Sequence, residues 1–261
     1  MAHPYMPNST PPLKEAMMQA VGITDIDELF EQIPADHLLA RPIALPDGVR
    51  AEASLRRHVQ GLLDRNDSCA ENLNFLGAGY WQHYVPAVCD EIASRSEFLT
   101  PVWGTPSSDH GRNQAWFEFA SQLGELVGME FVGLPVYSWG AAAGHAVRMA
   151  VRMTGRRQVL VPDSLDPERR AVIDTYCGPA GLDESIEVIG VRYDPATGCV
   201  DLDDLRAKLT DATAAVYVET PNYLGVIEAD AEAIAALARR HGAETIVGVD
   251  PISLGILRPP V

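Results

Sequence analysis

The fold class is indicated most clearly by residues 243–257, whose sequence is Ala-Glu-Thr-Ile-Val-Gly-Val-Asp-Pro-Ile-Ser-Leu-Gly-Ile-Leu. Their first half predicts a buried strand that ends at Asp250, and Pro251 turns the chain away from it. An acidic residue at the carboxyl end of an apolar strand that follows a helix faces the ligand crevice of an α/β sheet. We therefore predict a ligand-binding sheet edge at Asp250.

Upstream of this stretch, apolar runs of strand length alternate with helical segments. The predicted strands cover 132–136, 158–161, 186–191, 214–219 and 245–249, and the predicted helices cover 138–154, 166–177, 202–209 and 230–241. Strands separated by helices of this length form a parallel sheet that is covered on both faces. The pattern predicts an α/β domain over residues 71–261.

Residues 1–70 predict an N-terminal arm and helical region. A Pro- and Ser-rich arm comes first, and short helices are predicted over 13–21, 25–32 and 54–63. Two further helices, 84–94 and 113–127, precede the alternating region. Between them lies a loop rich in Gly, Pro, Ser and Thr over 97–113, and a loop of that length is usually functional or disordered.

Composition excludes several classes of function. The formal net charge of −16 opposes binding to nucleic acid or to an anionic membrane surface. No apolar run approaches the ~20 residues of a membrane span, and the N-terminus has no signal-peptide pattern. The four cysteines are scattered and the histidines lack metal-ligand spacing, so we expect reduced thiols, no metal site and a cytoplasmic protein.

Small residues at the start of the helix predicted over 138–154 suggest an anion site. Ser138, Gly140 and Ala141 can bring backbone N–H groups close to a phosphate at a helix N-terminus. The alternative is that Ser138 only caps the helix while the small residues allow close helix packing. The loop alone favours the second interpretation.

Two more polar residues follow predicted strands. Asn222 can hydrogen-bond a cofactor phenolate, or it can serve as an ordinary turn residue after Pro221. In one large group of enzymes an Asp in the place of Asp250 holds the pyridinium nitrogen of pyridoxal phosphate (PLP), although it can equally cap a turn. Because these loops follow successive predicted strands, we expect Ser138, Asn222 and Asp250 to line one sheet edge.

PLP enzymes need a Schiff-base lysine, and this sequence offers only Lys14 and Lys208. Lys14 lies in the N-terminal arm, and Lys208 is predicted on the solvated side of a helix. Neither suits that role, so we expect no catalytic lysine in this chain. A self-contained PLP aminotransferase or lyase is therefore disfavoured.

Blocks of sequence resemble glycine dehydrogenase (decarboxylating) subunit 1, the alpha half of the glycine-cleavage P-protein, from end to end. These blocks are 5–7, 22–30, 75–79, 83–88, 94–98, 117–119, 125–126, 128–129, 221–222, 225–228 and 250–255. Two motifs differ. Residues 103–111, Trp-Gly-Thr-Pro-Ser-Ser-Asp-His-Gly, replace a Tyr-containing Thr-Pro-Tyr-Gln loop, and Asp-Pro-Glu at 166–168 replaces His-Pro-Glu.

The resemblance implies the large domain of a fold-type-I, aspartate-aminotransferase-like PLP transferase, incomplete at its C-terminus. It implies a lysine-bearing beta-type partner that holds PLP, and glycine decarboxylation with transfer of the aminomethyl group to the lipoyl arm of an H-protein-like carrier. The loop expected to face the partner's active site contributes Trp103, Thr105, Ser107, Ser108 and His110. The alternative is a non-catalytic PLP-fold scaffold that stabilises or regulates a partner enzyme.

Overall fold

The structure, a computed structural model, describes residues 2–39, 41–75, 77, 81–96, 110–178, 181 and 184–260. The chain divides into two compact units, Met1–Asp67 and Ser68–Val261. Within the described ranges no helix is long and apolar enough to cross a membrane.

The described residues of the first unit form two α-helices, α1 (Pro11–Val21) and α2 (Glu52–Leu63), and three short 3-10 helices. The helix predicted over 25–32 is one of these 3-10 turns, Ile26–Phe30, and Asp25 and Glu28 close it with a capping box. The Thr24 hydroxyl and the backbone N–H groups of Asp25 and Thr24 donate hydrogen bonds to the Glu28 carboxylate, and these bonds lower the pKa of Glu28. None of the described side chains in this unit is buried.

The second unit is an α/β domain with a four-stranded parallel sheet in the order β2-β1-β3-β4. Its strands are β1 (Gln158–Pro162), β2 (Glu187–Val191), β3 (Thr213–Thr220) and β4 (Glu244–Val249). Its described helices are α3 (Ala87–Ala93), α4 (His110–Val127), α5 (Trp139–Thr154), α6 (Pro167–Cys177), α7 (Leu202–Lys208) and α8 (Ala231–Arg240). The predicted parallel α/β architecture is confirmed.

One predicted strand is wrong. Residues 131–136 have no regular secondary structure and pair with no strand in the described part of the chain. Pro135 has no backbone N–H to donate to a ladder, and Gly133 has no side chain to pack, so the apolar run is a poor strand despite its hydrophobicity. Ser138 therefore follows an irregular connection and not a strand end.

Side chains alternate across the sheet and build one apolar core on each face. Val159 and Val161 of β1 pack into the core under α5 and α6, whereas Leu160 between them packs into the core under α7 and α8. In β3, Tyr217 joins the first core and Val218 the second. This period of two fixes which side chains reach the carboxyl edge on each face.

Helices α5 and α6 approach closely because α5 presents glycine to α6. A Cβ on Gly140 would lie 2.8 Å from the Cβ of Val172, and a Cβ on Gly144 would collide with the ring of Tyr176. The close approach brings the N-terminus of α6 next to that of α5 above the sheet.

Candidate functional site

The loops after β3 and β4 lie at one edge of the sheet. Thr220 and Val249 are register partners at the ends of these neighbouring strands. Asn222 and Asp250 therefore leave the sheet at the same carboxyl edge.

Ser138 caps α5. Its Oγ accepts a hydrogen bond from the backbone N–H of Ala141 at 3.0 Å. Gly140 and Ala141 are both buried, and Gly140 packs against Val172 of α6. These contacts support the capping and packing interpretation of this loop.

Asn222 is committed to the turn that follows β3. Its Nδ2 donates to the carbonyl of Gly198 at 2.9 Å, and its Oδ1 accepts from the backbone N–H groups of Leu224 and Val226 at 3.0 and 3.1 Å. The residue is buried, and the Thr220–Pro221 peptide before it is cis. These bonds support the turn interpretation, since the amide already has partners on both its nitrogen and its oxygen.

Asp250 makes one local contact and one distant contact. Its Oδ1 accepts from the backbone N–H of Ile252 at 3.1 Å, which caps the 3-10 turn Pro251–Gly255. Its Oδ2 lies 3.1 Å from Nε2 of His83. The sequence predicts no role for His83, because nothing in the local pattern links a residue before α3 to a strand end far along the chain.

A buried polar network lies beneath this edge. Arg169 of α6 donates from Nη1 to both carboxylate oxygens of Glu219 at 2.7 and 2.6 Å. The hydroxyl of Tyr217 donates to Glu219 at 2.6 Å and accepts from Nε1 of Trp139 at 3.2 Å. The guanidinium of Arg169 also lies 4.1 Å from the centroid of the Trp139 ring, and Asp166 approaches it at 3.5 Å.

Burial sets the titration of this network. Desolvation raises the pKa of Glu219, although hydrogen bonds from Tyr217 and the positive charge of Arg169 act against it. Desolvation also raises the pKa of Tyr217 well above 10, and the neighbouring Glu219 carboxylate adds to that rise. The phenol is therefore a fixed hydrogen-bond donor and not an acid near neutral pH.

Two tryptophans lie above the network. The rings of Trp81 and Trp139 are 5.3 Å apart between centroids and tilted by 40°. The space over Gly248 of β4 is filled, because a Cβ there would lie 2.7 Å from the Tyr217 hydroxyl and 3.0 Å from Nε1 of Trp139. Aromatic side chains thus occupy the volume between α5 and the end of β4.

The loop predicted to face a partner is largely outside the described residues. Trp103, Thr105, Ser107 and Ser108 fall in the range 97–109, which the structure does not describe. His110 is the first residue of α4, so that helix begins earlier than the predicted Asn113. Its role in the site stays a prediction.

The two lysines lie in different units of the chain. Lys14 is an exposed residue of α1 in the first unit. Lys208 is partly solvated, with a side chain about a third exposed, and its Nζ donates to the carbonyl of Gly190 and to Asp204, each at 2.7 Å. These bonds hold the end of α7 against β2.

The cavities found elsewhere in the domain are not lined by the residues predicted to bind a cofactor. One of about 710 Å³ is lined by Val136, His145, Arg148, Met149, Arg152, Thr175 and Tyr176. Among the described residues, no group of three or more His, Cys, Asp or Glu side chains is arranged to hold a metal ion.

Comparison with known proteins identifies relatives over almost the whole chain. A family model described as glycine cleavage system P-protein matches residues 4–261. A probable glycine dehydrogenase (decarboxylating) subunit 1 of Carboxydothermus hydrogenoformans is 40% identical, covering 98% of this chain and 56% of the relative. The chain thus spans about half the length of the curated relatives it matches.

Solved structures also match this chain. A crystal structure of glycine decarboxylase (P-protein) of the glycine cleavage system, in inhibitor-bound form, matches with a TM-score of 0.76 and 31% identity over 100% of this chain and 55% of that one. The sphingosine-1-phosphate lyase of Burkholderia pseudomallei shares the fold, with a TM-score of 0.53 and 17% identity over 82% of this chain and 51% of that one. The predicted fold class, that of fold-type-I PLP-dependent transferases, is confirmed.

Proposed function

Because the chain belongs to the glycine cleavage system P-protein family, we propose that it is the alpha-type part of a PLP-dependent enzyme that decarboxylates glycine or a related amino acid. The aminomethyl group that remains passes to a lipoyl carrier protein of the H-protein type. In this proposal the chain works only together with a lysine-bearing beta-type subunit, and the name "subunit 1" carried by its relatives supports such an assembly.

The family match over residues 4–261 carries this proposal. The state of the two lysines supports the dependence on a partner. The Lys208 amine is held by Gly190 and Asp204, and Lys14 lies on a different unit from the sheet edge. In this proposal the Schiff-base lysine comes from the partner subunit.

We place PLP on the partner, where it would supply the electron sink for decarboxylation. The contribution of this chain is then to complete and shield the partner's site. Residues Trp103, Thr105, Ser107, Ser108 and His110 are the proposed contacts, since they replace a family loop and lie in an unusually long connection. A cytoplasmic location is consistent with the four free cysteines.

The experiment mixes this chain with a lysine-bearing P-protein subunit 2 and PLP. Release of labelled carbon dioxide from carboxyl-labelled glycine is measured with and without lipoylated H-protein, and each subunit is also assayed alone. We expect release only from the mixture. Release from this chain alone would overturn the dependence on a partner, and no release from any combination would overturn the decarboxylase proposal.

A non-catalytic scaffold is the second candidate. The engagement of Ser138, Asn222 and Asp250 in contacts within the chain favours it, because these residues then serve the fold. The variants His110→Ala and Trp103→Ala separate the two candidates. Loss of turnover with an unchanged complex, measured by analytical ultracentrifugation, supports a site contribution, whereas unchanged turnover supports the scaffold.

A further inference from the structure

We infer that side chains of this chain itself fill the carboxyl edge of its sheet. In particular, His83 contacts the Asp250 oxygen to which the pyridinium nitrogen of PLP would otherwise donate a hydrogen bond. The inference goes beyond the proposed function. It concerns only this chain's edge and stands whether or not a partner carries the cofactor.

The Asp250 carboxylate has a partner on each oxygen. Oδ1 accepts the backbone N–H of Ile252, and Oδ2 lies 3.1 Å from Nε2 of His83. Because an ionised carboxylate can only accept, the proton of that contact lies on Nε2. An imidazole N–H donating to this oxygen has the same hydrogen-bonding chemistry as a pyridinium N–H, so the two donors compete for one position.

Neighbouring contacts hold His83 over the edge. Trp81, two residues earlier, stacks on Trp139 at the start of α5. Gln82 between them donates from Nε2 to the carbonyl of Cys69 at 3.0 Å. Each of the three successive side chains 81–83 therefore has a contact within the domain. The two neighbours of the imidazole hold this segment in place independently of the His83–Asp250 contact.

The volume next to Asp250 is also filled from below. A Cβ on Gly248, two residues before Asp250, would lie 2.7 Å from the Tyr217 hydroxyl, 3.0 Å from Nε1 of Trp139 and 3.1 Å from Cγ of Glu219. All three groups belong to the buried network, in which Arg169 contacts Glu219 and Trp139 directly and Tyr217 through Glu219. A planar ring laid against the end of β4 would have to displace this network.

The helix end that would hold a phosphate is similarly engaged. The Ser138 cap uses one of its donors, because the backbone N–H of Ala141 donates to Ser138 Oγ at 3.0 Å. The residues present therefore do not fit PLP at this edge. The three features that mark a cofactor edge in the sequence remain, but each is used internally.

Nitrogen NMR of the chain labelled with ¹⁵N-histidine tests the contact. The His83 signal is assigned by its loss in His83→Gln. In the wild type we expect a protonated Nε2 that changes its shift in Asp250→Asn. Asn can still accept from Ile252 through its side-chain oxygen, so the cap is retained, and His58 of α2 serves as the internal control. An unchanged His83 signal in Asp250→Asn would overturn the proposed contact.

The second arm adds pyridoxine phosphate, which keeps the ring nitrogen and phosphate but lacks the aldehyde that reacts with amines. We expect no saturable shift of the His83 signal in the wild type. A saturable shift would show an open edge and overturn the inference, while leaving the partner-dependent activity to be judged by carbon dioxide release from the mixture.

Discussion

Arg169 and Glu219 form a buried ion pair that joins α6 to the end of β3. Both side chains are less than a tenth exposed, and the guanidinium donates from one nitrogen to both carboxylate oxygens at 2.7 and 2.6 Å. Such a pair lies in a medium of low dielectric constant, where each charge depends on the other. Removing one partner should therefore cost far more stability than removing both.

Arg169→Met should lower the free energy of unfolding by about 3–5 kcal/mol, because it leaves the Glu219 carboxylate buried without its counter-ion. Urea denaturation followed by circular dichroism gives the value. The double variant Arg169→Met, Glu219→Gln should recover a large part of the loss, since it removes both charges. A double variant as unstable as the single one would contradict this account.

Arg170 provides the matched control on the same helix. It pairs with Asp174 at 3.0 Å, where the two side chains are about a third and about a half exposed, and its Nη2 donates to the Val188 carbonyl at 3.4 Å. Arg170→Met should therefore change the free energy of unfolding by only about 0–1 kcal/mol. A loss equal to that of Arg169→Met would mean that shortening any arginine of α6 destabilises the helix.

Glu219 should also set part of the pH dependence of stability. Its pKa is raised in the folded protein from an ordinary value of 4.5, so the folded state holds that proton more tightly than the unfolded state. Its contribution to stability is therefore greatest below 4.5 and falls as pH rises through the folded pKa. The difference in unfolding free energy between wild type and Glu219→Gln, measured against pH, should show this negative slope.

Asp204 should change the unfolding free energy with pH in the opposite direction, and it therefore serves as the comparison for Glu219. Burial acts to raise its pKa, but hydrogen bonds from Lys208 and from the Arg192 backbone lower it overall. Its contribution is present above 3.8 and is lost as pH falls through the folded pKa. Asp204→Asn should thus differ from the wild type less at acidic pH than at neutral pH, and equal slopes for both variants would refute the assignment.

Gly144→Ala should destabilise the domain by about 1–3 kcal/mol, because the new methyl group meets the ring of Tyr176 in a packed interface. Thermal unfolding measures the loss. The control is Gly61→Ala in α2, where a Cβ meets nothing within 4 Å. That variant should raise helix stability by about 0.5–1 kcal/mol, so a similar loss in both would argue against the packing explanation.

Thiol reactivity should divide the four cysteines into two pairs. Cys69 and Cys89 are exposed, whereas Cys177 and Cys199 are buried. Desolvation raises the pKa of Cys177 to about 11, so little thiolate forms at mildly alkaline pH. Reaction of the native chain with an aromatic disulfide reagent at that pH should label the exposed pair alone, and denaturant should release the other two. Rapid labelling of Cys177 without denaturant would show that α6 is not packed as described.

The sequence was enough to predict the alternating domain but not its polar interior. Periodicity identified every strand of the sheet to within a residue or two, because β1 and β3 are continuous apolar runs between amphipathic helices. It failed at 132–136, where hydrophobicity was present but Pro135 prevents regular pairing. A strand needs a partner as well as a pattern.

The local sequence pattern did not predict which polar side chains contact one another. The register of β3 and β4 brings the loops that contain Asn222 and Asp250 to one edge, and their role in cofactor binding stays a prediction. Yet the partners of Asp250 and Glu219, which are His83 and Arg169, come from distant segments. Nothing in spacing or composition marks such pairs, since they exist only once the helices are packed.

The strand order β2-β1-β3-β4 carries a consequence for how the sheet is assembled as the chain emerges during synthesis. The first strand made is an interior one, the second docks on one side of it, the third on the other, and the fourth on the third. No later strand has to insert between two that are already paired. Each docking step still closes a long connection, so we expect assembly to be slower than in a helical bundle but free of rearrangement between steps.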